Sequence, residues 1–144
     1  MKSKKYKSET SGYIISNPEH SRKNDNIQLL RIIVTRHETK IDFGYQASDY
    51  YTKGGWIKIS PKTFIKPIGT DKKYILTNAT NIPYGPEKLH FNSTIEWRYF
   101  SLYFPPIQEG VEAIDLVEQE NGNENDFNFL GIKLNDDKKK SLIY

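Results

Sequence analysis

The chain has 144 residues, 36% of them hydrophobic and 27% charged, with 10 Tyr, 7 Phe and 2 Trp. That is one domain's worth of chain, with enough apolar surface to offset the entropy of ordering, so wholesale disorder is excluded. There are no cysteines, which removes thiol nucleophiles, zinc-thiolate sites and disulfides together, and the net charge of +3 is too small to name an anionic partner.

Taken in chain order, residues 1–26 are polar and rich in Lys, Ser and Asn, and they read as a tail with a short docked segment around Tyr13–Ile15. Met1-Lys2-Ser3-Lys4-Lys5 is basic but has no apolar run behind it, so it does not read as a signal peptide. The compartment stays open: cytoplasmic, or periplasmic or exported if a signal peptide has been removed. No apolar run reaches the roughly 18–20 residues of a membrane-spanning helix.

The body, residues 27–134, reads as strands. Residues 27–35 are apolar and β-branched, with Leu30, Ile32 and Val34 on one face. Arg36-His37-Glu38-Thr39 is a polar turn, and residues 40–46 then alternate with Ile41, Phe43 and Tyr45 inward; the pair predicts a hairpin. Gly54-Gly55 breaks the chain before Trp56-Ile57-Lys58-Ile59, and Phe64-Ile65 and residues 73–77 are further short strands. Pro83-Tyr84-Gly85-Pro86 punctuates the chain before its longest strand, 95–104, where Phe100, Leu102 and Phe104 share a face and Pro105-Pro106 stops the ladder. Residues 114–117 are a short strand, and 130–134 close the body with Leu130, Ile132 and Leu134 on one side. Residues 135–144 read as a second polar tail. No helical period persists and turn signals recur every 8–14 residues, so the expectation is an all-β antiparallel sandwich of seven or eight strands, with a small open barrel as the other arrangement.

The order Trp56-x-Ile-x-Ile, Lys73-Tyr74-x-Leu, Phe100-Ser101-Leu102-Tyr103-Phe104-Pro105-Pro106, Ile114-Asp115-Leu116-Val117-Glu118 and Gly131-Ile132-Lys133-Leu134 resembles a family of small immunoglobulin-like β-sandwich domains of the Bacteroidetes. Some of that family are accessory to exported enzymes. The resemblance spans roughly residues 27–134 and implies an accessory role with no catalytic residues to carry over.

The chemistry-bearing residues are sparse. His20, His37 and His90 lack metal-ligand spacing and read as exposed polar residues. No Gly-x-Ser-x-Gly elbow is present, and Gly54-Gly55 lacks the Lys-Ser/Thr and helix of a phosphate loop. The acidic stretch 118–126 offers Glu120, Glu124 and Asp126 as oxygen ligands for calcium, but without EF-hand spacing, and reads rather as a solvated loop tip. Glu96 and Glu118 are the carboxylates a glycosidase would need, and the sequence cannot set them face to face. No catalytic residue, metal or cofactor is expected.

Aromatic residues are the distinctive resource. Tyr50 and Tyr51 cluster with Tyr45 and Trp56 around a Gly-rich turn, while Trp97, Tyr99 and Tyr103 alternate against the apolar face of their strand, with Arg98 beside them. Such a stripe serves either as a contact surface or as cross-strand pairing that only stabilises the sheet. The expectation is a non-catalytic binding or accessory module with a protein partner; the alternative is a small-ligand or carbohydrate binder that uses the same aromatics. Lys2, Lys4, Lys5 and Lys7 lie in the tail, and the body carries 12 basic against 13 acidic residues, so no nucleic-acid partner is expected.

Overall fold

A computed structural model describes residues 12–21, 27–46, 56–57, 59–82, 89–90, 97–118, 128–134 and 139–142. These form twelve strands: β1 (Gly12–Ser16), β2 (Ile27–Thr35), β3 (Thr39–Gln46), β4 (Trp56–Ile57), β5 (Phe64–Pro67), β6 (Tyr74–Ile75), β7 (Asn78–Thr80), β8 (Leu89–His90), β9 (Trp97–Phe104), β10 (Ala113–Val117), β11 (Phe129–Lys133) and β12 (Lys139–Leu142). No helix occurs among the described residues. One sheet has six strands in the order β12-β1-β2-β3-β9-β7 and the other four in the order β11-β10-β5-β6; β4 and β8 pair separately. Every pairing is antiparallel. The sheets do not close into a barrel, so the fold is an antiparallel β-sandwich.

The two-residue period of a strand sorts the side chains. On the six-stranded sheet Leu29, Ile32, Ile41, Phe43, Phe100, Leu102 and Phe104 point inward; on the other, Ile65, Ile114, Leu116, Phe129 and Ile132 do, and all are buried. They form one core, closed between the sheets by the Phe43 ring, which stacks on Phe100 at 5.0 Å and tilts against Phe129 at 5.5 Å.

Two crossings tie the sheets together. Leu76 donates its N–H to Thr63 O on the four-stranded side, and Thr77 donates to Tyr103 O on the other, both at 2.8 Å. The chain therefore changes sheets within two residues. After β1, Ser21 N–H reaches Leu130 O and Lys133 N–H reaches Glu19 O, each at 2.9 Å, so this segment covers the outer edge of β11. A covered edge offers no template for a further strand.

Four expectations need correction. Among the described residues the two sheets hold ten strands, where seven or eight were expected, because short bridges of two to four residues carry too little alternation to be seen in sequence. Both segments read as tails supply strands: the docked segment expected around Tyr13–Ile15 is β1, which lies between β2 and β12 with Ile15 fully buried. β12 escaped notice because it is an edge strand whose Lys139, Lys140 and Ser141 are all exposed. Finally, Leu130 does not face inward with Ile132; it is 46% exposed and Phe129 takes the core position. The register of β11 shifts against β10 there, at Gly131, whose φ of 64° suits glycine. A similar shift in β2 turns Leu30 partly outward and gives its core place to Leu29.

Gly12 shows how closely β1 is held. A Cβ there would stand 2.3 Å from Val34 O, a backbone atom that cannot swing away. Gly12→Ala is expected to destabilise the fold by about 1–3 kcal/mol through overpacking, read as a lower midpoint in urea. The neighbouring Tyr13 phenol is pushed up to about 12 by burial. A raised acid pKa adds stability below the unfolded value near 10 and loses it as pH rises toward the folded one. Stability should therefore decline from pH 10 upward, less so in Tyr13→Phe, as followed by circular dichroism.

Candidate functional site

The outer face of the six-stranded sheet carries a row of polar residues that crosses the strands. The register aligns Ser16 of β1 with Arg31 of β2, Arg31 with Asp42 of β3, Asp42 with Ser101 of β9, and Ser101 with Thr80 of β7. Five strands at about 4.8 Å spacing make this row about 19 Å long. It lies along a depression of about 560 Å³, whose lining includes Arg31, Lys40, Asp42, Ser101 and Tyr99.

Asp42 is its centre. It is only 8% exposed, yet sits on the outward face because its neighbours cover it. Arg31 Nε donates to its Oδ2 at 2.5 Å, Ser101 Oγ donates to its Oδ1 at 2.6 Å, and Lys40 Nζ stands 3.7 Å from Oδ1. Burial pushes the carboxyl up, but the hydrogen bonds from Ser101 and Arg31 and the charges of Lys40 and Arg31 outweigh it and hold the pKa below the ordinary value. Asp42 is thus a fixed anion and hydrogen-bond acceptor at neutral pH, poorly placed for proton transfer.

One wall is aromatic, formed by Tyr99. Tyr99, Ser101 and Tyr103 share one face of β9, and the short serine between two tyrosines leaves the low point. Tyr99 is 63% exposed. Tyr103 is half-buried, with Lys40 Nζ 5.9 Å from its ring centroid. At the ends of the row stand Asn17 and Asn81, both exposed and both in the lining. They are the two non-glycine residues of positive φ among those described, at 50° and 66°. Asparagine tolerates this conformation, and here it turns the chain sharply at the ends of β1 and β7.

Of the site residues expected from sequence, Tyr99 and Tyr103 lie on this face, and Trp97 pairs with Gln46 at the start of β9. Arg98 does not join them: it alternates to the inner side of β9 with Phe100, opposite Tyr45. Tyr50, Tyr51, Glu96, Glu120, Glu124 and Asp126 lie outside the described residues. Glu118 is occupied structurally, since its Oε2 accepts the Ser60 N–H at 2.9 Å. His20 is half-buried rather than exposed, its ring edge-on to Phe129 at 5.0 Å, while His37 is exposed. No three His, Asp or Glu residues converge among the described residues.

Sequence reasoning missed Arg31, Asp42, Ser101 and the two asparagines. The outward alternation Lys40-x-Asp42 was the available signal, but only the pairing of β3 with both β2 and β9 brings its partners in. A second depression of about 640 Å³, at the other end of β1, is lined by Gly12, Tyr13, Pro106 and Lys139 among others. There Lys139 Nζ lies 4.1 Å from the Tyr13 ring centroid, and no buried charge marks a centre. The fold and the first depression together define an all-β sandwich with a polar, aromatic-walled trough across one sheet. Comparison with protein-family models, curated proteins and solved structures finds no match.

Proposed function

We propose that this protein is a non-catalytic binding module that takes a hydroxyl-rich small ligand or carbohydrate on the outer face of its six-stranded sheet. The observation that carries this reading is the cluster of buried Asp42 with Arg31 and Ser101 at the floor of a depression beside an exposed Tyr99. An exposed ring offers a rigid apolar surface, and the polar floor offers donors and acceptors held in place before the ligand arrives. A protein partner, the other expectation, is disfavoured by the same cluster: the centres of protein interfaces are depleted of charge, whereas here the charges are central and the aromatics peripheral. An immunoglobulin-like arrangement, implied by the family resemblance, is supported by two antiparallel sheets around one core.

The test is binding to an array of immobilised glycans by the full chain and by Tyr99→Ala. The parent chain should bind and the variant should lose at least about tenfold in affinity. Because Tyr99 is exposed, its replacement should move stability by no more than about 0.5 kcal/mol. An array that stays dark with the parent chain would reject the reading.

A further inference from the structure

We infer that the trough holds a linear, uncharged oligosaccharide laid across the strands, contacting several successive sugar units rather than one terminal sugar. The inference rests on the binding reading above and adds the shape and charge of the ligand.

Shape comes first. The polar row runs through five strands, from Ser16 to Thr80, and covers about 19 Å. It ends at exposed asparagines on both sides, Asn17 and Asn81, and both line the depression. A compact ligand would use a fraction of that length, whereas a linear chain uses all of it.

Chemistry comes next. Ser16 and Thr80 carry hydroxyls and Asn17 and Asn81 carry amides, groups that both donate and accept, while Ser101, whose proton goes to Asp42, offers an acceptor. That is the complement of sugar hydroxyls, which do the same. The Tyr99 ring, with its negative face, suits the C–H face of a pyranose.

Charge decides against two competitors. The central Arg31 and Asp42 cancel, and the one further cation, Lys40, is directed at Asp42 and at the Tyr103 ring. A single-stranded nucleic acid needs a surplus of cations along its phosphates, and this row lacks one. An extended peptide gains its affinity from main-chain hydrogen bonds at a sheet edge, and the trough lies on a face whose backbone groups are already paired.

The experiment begins with native electrophoresis of the full chain in gels containing mixed-linkage β-glucan, arabinoxylan or galactomannan, with polygalacturonate as the acidic arm. Titration calorimetry then follows an oligosaccharide series, one to six units long, cut from the polymer that retards the chain. Affinity should rise at least about tenfold from monosaccharide to tetrasaccharide. Thr80→Trp, which fills one end of the row, should bring the long chain back to the affinity of the short one at an unchanged melting temperature. A monosaccharide that binds as tightly as the chain overturns the inference but leaves the binding reading standing. Retardation by polygalacturonate alone, or by none of the polymers, overturns the inference. A dark array, by contrast, rejects the reading itself.

Discussion

Phe43→Ala should cost about 3–5 kcal/mol, the range for emptying a fully buried phenylalanine site. The ring is wholly buried on β3 and touches aromatic partners in both sheets, Phe100 at 5.0 Å and Phe129 at 5.5 Å. Neither neighbour can close the gap without leaving its own strand register, so collapse into the cavity will be incomplete. For a chain of this size the loss corresponds to a fall in melting temperature of about 10 °C or more. A double-mutant cycle with Phe129→Ala should return a coupling of about 0.5–1.5 kcal/mol, since that pair joins the sheets directly. If Phe43→Ala costs less than about 1 kcal/mol, the tilted ring pair is not what holds the layers together.

The second large effect is at Asp42. Asp42→Ala removes the acceptor of two charge-assisted hydrogen bonds and leaves the Ser101 hydroxyl without its partner, for an expected loss of about 1.5–3 kcal/mol. The half-exposed Arg31 side chain keeps the figure below that of a fully buried ion pair. A pH signature separates this from simple packing loss. The folded carboxyl has a pKa below the ordinary 3.8, so its contribution is complete above that value and disappears as pH falls through the folded pKa. The parent chain should therefore lose stability to acid more steeply than Asp42→Asn, in which nothing titrates at that position. Parallel acid limbs in the two proteins, by urea denaturation at a series of pH values, would refute the assignment. The proposed sugar binding should also weaken in Asp42→Asn, because Arg31 then loses the anion that orients it.

Much of the sandwich was legible in the sequence because its longest strands alternate cleanly. The hairpin expected at 27–46 is β2 and β3, and Phe100, Leu102 and Phe104 face the core as their spacing requires. Alternation fails where the ladder slips. At Gly131 and near Leu30 the side chains change face within a strand, and no periodic rule sees that. The site was legible in half. That Tyr99 and Tyr103 face away from the core follows from Phe100 and Leu102 facing in. That Asp42 stands beside Ser101 depends on pairing strands separated by more than fifty residues, and nothing local in the sequence records it. Arg31 joins them only because the β2 slip sets it opposite Asp42.

The pairing of β1 with β12 has a consequence for synthesis. Residues 12–16 are synthesised long before residues 139–142, yet they are hydrogen-bonded neighbours. Until residues 139–142 are made, β1 can dock on β2 only with its other edge bare. Contacts of such long sequence separation form slowly, and a bare edge is where nascent chains cross-pair. A ribosome-stalled chain halted before residue 139 should therefore need chaperone protection that the finished protein does not.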